Sequence, residues 1–334
     1  MCKRRLILLI AALVLAVGCK KEAKFVDTDT GEQKSVKILR FDKALFEKQH
    51  SDMGKYLDSI RSEYKDLLFS SELTESLKEL AADTVGQMAW KAVCKRYNDL
   101  TWLENNITNA FANLQKSYPK TTLPKFYTMI AGPARFEEGF AQRIFAMDSC
   151  VVVALDWYSI DEQLNKVYGI PNYMIKVLDS AFLAVDIIKT YLREVTTLDV
   201  KLAIENPESD LLSLMVEVGK FDYAVKQLLG CDDATVLRYT KAEYDWCVKN
   251  ESNIWGFLVE NKLLFEKDSF KFRGIINDAP FSKGIEGSPA RVAEYIGFNV
   301  VSKYVEQSKV SINALLHTTD ANKILRESNY KPKK

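Results

Sequence analysis

The signature of a β-strand in this chain is confined to two stretches, and the sequence around them carries the period of a helix. Ser35 to Phe41 (SVKILRF) alternates polar and apolar residues, the period of a half-buried strand. Lys125 to Ile130 (KFYTMI) and Ser149 to Leu155 (SCVVVAL) are β-rich runs, separated by a Gly132-Pro133 turn and a short expected strand near Gln142 to Met147. From Phe46 to about Tyr118 apolar residues recur at spacings of three and four, most economically as three helices. After Pro171 the same period predicts helices over Ser180 to Glu194, Ser209 to Leu229, Lys241 to Leu264, Pro289 to Glu306 and a short tail near Asp320 to Glu327. Ser288 is read as the N-cap of the fourth of these, with Pro289 at its first helical position. So few strands cannot bury a face by themselves, so the fold class is α+β, mostly helical, with a small central mixed sheet covered by helices. Low Pro and Gly density and the absence of repeats point to one domain over residues 35–334.

The N-terminus stands apart from that fold. Lys3, Arg4 and Arg5 precede the wholly apolar run Leu6 to Val17, then come Gly18, Cys19 and a polar stretch. A basic start, an apolar segment too short to span hydrocarbon and small residues before a break read as an export signal over 1–18. Leu15-Ala16-Val17-Gly18-Cys19 resembles a bacterial lipobox, which implies cleavage after Gly18 and lipidation of Cys19. Residues 19–34 then form a polar tether. Losing the leader takes the formal charge from +1 to −2, so acyl chains rather than basic residues must hold the protein on its membrane. The body is expected outside the cytoplasm, facing the periplasm or on the outer membrane.

Composition and motif content remove several function classes. With 46 basic and 45 acidic side chains there is no electrostatic footprint for nucleic acid. His50 and His317 are the two histidines, neither within HExxH, and both read as solvated rather than catalytic. No GxxxxGK[ST], GxGxxG, GxSxG or CxxC occurs, so no cofactor and no metal are expected. Cys94, Cys150, Cys231 and Cys247 remain in the mature body. They are either buried thiols or disulfide partners, with Cys231 and Cys247 the pair to test first.

Two carboxylates stand out against apolar surroundings. Glu217, inside Leu211 to Val218, has Leu214 and Phe221 at helical spacing and either faces inward, where burial raises a carboxyl pKa, or sits at the edge of an amphipathic helix beside Lys220. Asp156 ends the apolar strand VVVAL and either opens onto a cleft or serves as a turn residue. As an acid/base pair they would suit glycoside chemistry only at a separation that the sequence does not fix. Trp255, with Leu258 and Leu263, reads as core.

One resemblance spans nearly the whole chain. Arg40-Phe41-Asp42, Leu155-Asp156-x-Tyr158, Pro171-x-Tyr173, Glu217-x-Gly219-Lys220, Glu251-x-x-Ile254-Trp255-x-Phe257, Ala279-Pro280-Phe281-Ser282, Ser288-Pro289-x-Arg291, Gly297 and Tyr304 occur in that order. Together they resemble the gliding-motility lipoprotein GldB family of Bacteroidetes. The chain departs from it where Tyr158 is followed by Ser159-Ile160 instead of Leu-Gly. The resemblance implies an envelope lipoprotein of the gliding apparatus and of the type IX secretion system bound up with it, with other envelope proteins as partners. That family is in turn distantly similar to zinc metalloproteases of the gluzincin kind. Here the helix in the first-ligand position, Ala181 to Tyr191, holds no histidine, and Glu217-Val218-Gly219 corresponds to the third-ligand segment, which implies a degenerate, zincin-like but non-catalytic scaffold.

The functional expectation is a lipid-anchored, non-enzymatic envelope component with a partner groove beside Asp156, Glu217, Phe281, Ser288 and Arg291. Phe281 either contacts a partner or plugs the core, with Arg291 neutralising a buried Glu such as Glu217. The rivals are a carboxylate-based or metal-assisted, peptidase-like hydrolase and a small-ligand-binding lipoprotein.

Overall fold

The computed structural model describes residues 35–333 apart from 48–49, 69–70, 134–142, 196–197, 199 and 201–207. The leader, Cys19, the tether and the start of the strand expected from Gln142 lie outside the described residues. Four strands, β1 (Ile38–Arg40), β2 (Lys125–Met129), β3 (Ile144–Ala146) and β4 (Cys150–Ala154), form one mixed sheet in the order β1-β2-β4-β3. β2 runs parallel to both β1 and β4, and β3 folds back antiparallel on the far edge of β4. A parallel pair needs a long crossover, and the helical segment between residues 41 and 118 supplies it for β1 and β2.

Both faces of the sheet centre are covered, which is why β4 (CVVVA) is buried at all five positions rather than alternating. On one face Phe126 meets Phe111 of the Thr101–Ser117 helix edge-on, and Phe111 meets Tyr191 of the Leu183–Glu194 helix. On the other, Tyr127 packs toward Tyr64, which contacts Phe41. The Arg40-Phe41-Asp42 segment locks β1 to this arrangement. Asp42, fully buried, accepts from Arg40 and from the Thr128 hydroxyl on β2 (2.6 Å), and Arg40 donates to the Tyr97 carbonyl (2.8 Å).

Several helices begin or end where the periodicity did not indicate. Among the described residues between Phe46 and Tyr118 there are four, Met53–Ile60, Ser71–Ala82, Thr84–Arg96 and Thr101–Ser117, in place of the expected three. Asp83 breaks the run by accepting from Val85 N–H, an N-cap set inside an otherwise continuous apolar period. The expected Lys241–Leu264 helix is two, Lys241–Lys249 and Glu251–Glu260. At the break Asn250 bonds back to the Trp246 carbonyl, and Glu251 turns inward to accept from the hydroxyls of Tyr295 and Tyr330, each at 2.9 Å. Trp255 is half-buried, edge-on to Tyr330.

Ser288 is not a helix cap. The helix runs Val292–Ser308, and the hydroxyl accepting from Val292 N–H belongs to Ser282, ten residues upstream (3.3 Å). Ser288 instead donates to the Ile285 carbonyl, while Ser282 N–H donates to the Pro289 carbonyl. The Ala279–Ser282 and Ser288–Arg291 segments are thus two halves of one knot, closed before the helix starts.

The second half of the domain centres on the Leu211–Leu229 helix, which crosses Val292–Ser308 at backbone contact. A Cβ added at Gly297 would lie 2.0 Å from the Met215 carbonyl oxygen, and one at Gly219 would lie 2.5 Å from Gly297. The rigid groups are main chain on both sides, so the helices must separate to admit a methyl group. Gly297→Ala is expected to lower unfolding free energy by about 2–3 kcal/mol, read by urea denaturation; a loss below about 0.5 kcal/mol, the scatter of ordinary surface changes, would show that the crossing is not tight. Among the described residues no helix is long and apolar enough to cross a membrane.

Candidate functional site

Beside the glycine crossing, charged side chains of three helices meet in one buried array. Leu183–Glu194 supplies Asp186 and Lys189, Leu211–Leu229 supplies Asp222, and Val292–Ser308 supplies Glu294. Turns add Arg238, Asp278 and Arg291, and Arg143 comes from the edge of the sheet. Four carboxylates therefore face four cations, the pairing that buried charges require.

Arg291 is the centre of this array. Its guanidinium reaches Glu294 and Asp278, each at 2.8 Å, donates to the carbonyls of Leu237 (2.8 Å) and Arg238 (3.1 Å), and lies over the Tyr239 ring at 4.9 Å. Arg291 and Arg238 both adopt left-handed backbone angles, φ +58° and +54°. Such angles are costly for a residue with a Cβ and persist where surrounding contacts enforce them. Lys189 bridges Asp222 and Glu294. Asp186 accepts from Arg143 (3.0 Å) and from the Tyr158 hydroxyl (2.7 Å).

These surroundings push the carboxyls in opposite directions. Burial alone would raise Glu294, but Arg291, Lys189 and Arg238 hold it well below the ordinary range. Asp186 is likewise held low by Arg143 and Arg238 against burial. Asp222 is pushed up to about 7, because burial and the neighbouring Glu294 outweigh Lys189. A folded-state pKa above the unfolded value gives stability that is complete below about pH 4 and is lost as pH rises through 7. Asp222→Asn removes that loss, so its stability relative to the parent chain should improve by on the order of 1–2 kcal/mol between pH 5 and pH 8, measured by thermal melts. A difference that stays flat across that range would sink the assignment.

Above the array lies a groove of about 470 Å³. Its charged lining comprises Lys189, Arg193, Arg238 and Arg291 against Glu217, Asp278 and Glu294, with Met174, Leu214, Val218 and Ile276 as apolar walls. A second concavity of about 440 Å³, from Ile160 to Lys166 and at Asn172 and Ile175, contains none of the buried ion pairs.

The structure brings only part of the sequence-derived site together. Glu217 faces inward, 3% exposed, and lines the groove with Arg291. Its neighbour Lys220 is buried as well, its amine donating to the carbonyls of Leu316 and Thr318, and burial lowers its pKa against the pull of Glu217. Arg291 neutralises Glu294 and Asp278, not Glu217 as the sequence suggested, because its own helix places Glu294 one turn on. Asp156 does not line the groove. It is fully enclosed, accepting from Ala131 N–H (3.1 Å), Gly132 N–H (2.9 Å) and the Tyr168 hydroxyl (2.6 Å), and burial raises its pKa to about 6. Phe281 is 59% exposed, so it does not plug the core, and it too lies outside the groove lining. Ser288 is buried in the loop knot.

Lys189, Arg193, Asp222, Arg238, Asp278 and Glu294 were not singled out in the sequence. The available signal was charge inside apolar helices: Asp186 and Lys189 interrupt the run Leu183 to Leu192, and Asp222 follows Phe221. Cys94, Cys150, Cys231 and Cys247 are all free thiols. His317 is exposed, and His50 stacks on Tyr56 with ring centroids 3.5 Å apart. Among the described residues no group of three or more His, Cys, Asp or Glu side chains is placed to hold a metal ion, so the residues present do not fit a zinc site.

Fold and groove together define an α+β protein whose helices enclose a buried ionic array beneath a charged groove. Residues 21–332 match the family described as gliding motility protein GldB. The chain belongs to that family, and membership associates it with gliding motility and with membrane-anchored envelope lipoproteins. Comparison with curated proteins and with solved structures finds no significant match.

Proposed function

We propose that this protein is a non-catalytic component of the gliding and type IX secretion apparatus. Acyl chains on Cys19 anchor it to a bacterial membrane on the periplasmic side or in the outer membrane, and it works through contacts with other envelope proteins at the Lys189–Arg291 groove. The observation that carries this reading is the state of the groove's carboxylates. Glu294 is pinned between Arg291 and Lys189, and Asp278 is pinned to Arg291. Carboxylates fixed by buried cations organise a surface for recognition and are poorly placed to exchange protons with a substrate. The likeness of the scaffold to a protease belongs to the same proposal: the helix in the first-ligand position carries Asp186 and Lys189, groups that make ion pairs.

A photoreactive side chain at Asn277, exposed on the groove rim, tests this reading in cells of the source bacterium. A discrete cross-link to another envelope protein is the expected outcome. A correctly anchored, folded protein that gives no cross-link from the rim would dismiss the groove as a contact site.

The hydrolase reading has one observation in its favour, the Asp222 carboxyl near neutrality. That group is fully enclosed and does not line the groove; Lys189, its partner, does. Peptide turnover by purified protein that disappears in Asp222→Asn would replace the contact reading with an enzymatic one.

A further inference from the structure

The cations of the groove are unequally engaged. Arg291 pairs with Glu294 and Asp278 and donates through its terminal amines to two carbonyls, and Lys189 bridges two carboxylates. Arg238 differs. Its side chain is only 11% exposed, yet among the described residues its guanidinium reaches Asp186 at 3.7 Å, beyond hydrogen-bond length, and its buried Nε has no hydrogen-bond partner. Asp186 takes Arg143 and the Tyr158 hydroxyl on its Oδ2 and turns Oδ1 toward Arg238 without closing to bonding distance. A guanidinium offers five N–H donors in a planar fork, and leaving them unfilled in a buried setting is costly unless something else accepts from them. Arg238 lines the groove with its Nε enclosed, which leaves the two terminal amines as the donors that a groove ligand would meet. Arg193, lying over the Phe221 ring, adds a second cation to the same wall. The apolar surface beside them is formed by Met174, Leu214, Val218 and Ile276.

We infer that Arg238, assisted by Arg193, is the receptor for a carboxylate of a partner peptide whose flanking apolar residue packs on the Met174–Ile276 walls. The inference rests on the protein-contact reading and names the chemistry of the contact. A carboxylate matches the fork in two parallel N–H···O bonds, as ion-pair geometry favours. The lining cations face Glu217, Asp278 and Glu294, with Asp186 and Asp222 directly behind them, so selection for a carboxylate rests on the geometry of the fork and not on a surplus of positive charge. The carboxylate can come from a chain terminus or from an Asp or Glu side chain, and the two are separable.

Calorimetric titration of the full-length protein in detergent decides it. The probes are N-acetyl-Leu-Leu with a free C-terminus, the same dipeptide as its amide, N-acetyl-Leu-Glu-Leu-amide and its Gln counterpart. At least one carboxylate probe is expected to saturate, binding tenfold or more tightly than its neutral partner. The free terminus and the Glu side chain each identify their own source of the group. Arg238→Gln should weaken that probe at least tenfold, and Arg238→Lys should recover part of the loss. Equal binding of acid and amide probes, or undiminished binding by Arg238→Gln, overturns the inference. So does inorganic phosphate competing as well as the peptides, because that would make the site a general anion sink. If Arg238→Gln lowers the melting temperature, Arg193→Gln carries the decision: a similar loss supports the inference and parental affinity overturns it. Failure of the peptide probes while the Asn277 cross-link persists would remove the carboxylate assignment and leave the protein-contact reading standing.

Discussion

Arg291→Ala is expected to lower the unfolding free energy by about 4 kcal/mol, the range seen when one partner of a buried pair is removed. The loss is large because one side chain serves five groups. Glu294 and Asp278 lose their nearest cation, the Leu237 and Arg238 carbonyls lose a donor, and the Tyr239 ring loses the guanidinium above it. Arg291→Lys keeps the charge but has no planar fork, so it should recover only part, leaving a deficit of about 2 kcal/mol. Urea denaturation of the parent and both variants measures this ranking. A lysine variant as stable as the parent would show that charge alone, without the fork geometry, holds the array together.

The second large effect is expected at Asp156. Alanine there leaves the N–H groups of Ala131 and Gly132 and the Tyr168 hydroxyl without their acceptor, the last two in buried surroundings. At about 1–3 kcal/mol for each unsatisfied buried donor, a total near 4 kcal/mol is expected at pH 5. The cost should shrink toward pH 8. Asp156 has a folded-state pKa of about 6, above the ordinary unfolded value, so its contribution is complete at low pH and declines as pH rises through 6. Tyr168→Phe, which removes one donor and its partner bond, should cost only about 1 kcal/mol. Thermal melts at the two pH values test the sign, and a cost that grows with pH would contradict this account of Asp156.

Neither residue behaves as its sequence context suggested. Asp156 ends a strand, a position that suggests either an opening onto a cleft or a turn or cap aspartate. The turn it serves is 24–25 residues away in sequence, at Ala131 and Gly132, a distance that no local pattern encodes. Arg291 was read beside Ser288 as part of a capped helix start. In the fold Ser282 takes the capping role from ten residues upstream, and Arg291 faces the array instead. Local periodicity indicates Glu217 as a buried carboxylate candidate because Leu214 and Phe221, its neighbours at helical spacing, are apolar. It did not indicate Arg238, whose surroundings come from other segments. The motif pieces acquire separate physical reasons: Arg40 and Asp42 tie β1 to β2, Gly219 and Gly297 permit a backbone crossing, and Ser282 with Ser288 closes a loop knot.

By itself the sequence determined where strands occur and where helix takes over, though not how many helices each stretch holds, because a period of two or of three to four is a property of neighbouring residues. It also determined the family, through pieces of motif whose order along the chain needs no coordinates. Which charges meet was decided only by tertiary structure. Lys189 and Glu294 are 105 positions apart, and Lys189 reaches both Glu294 and Asp222 where Gly219 and Gly297 let the two helices carrying those acids lie in backbone contact.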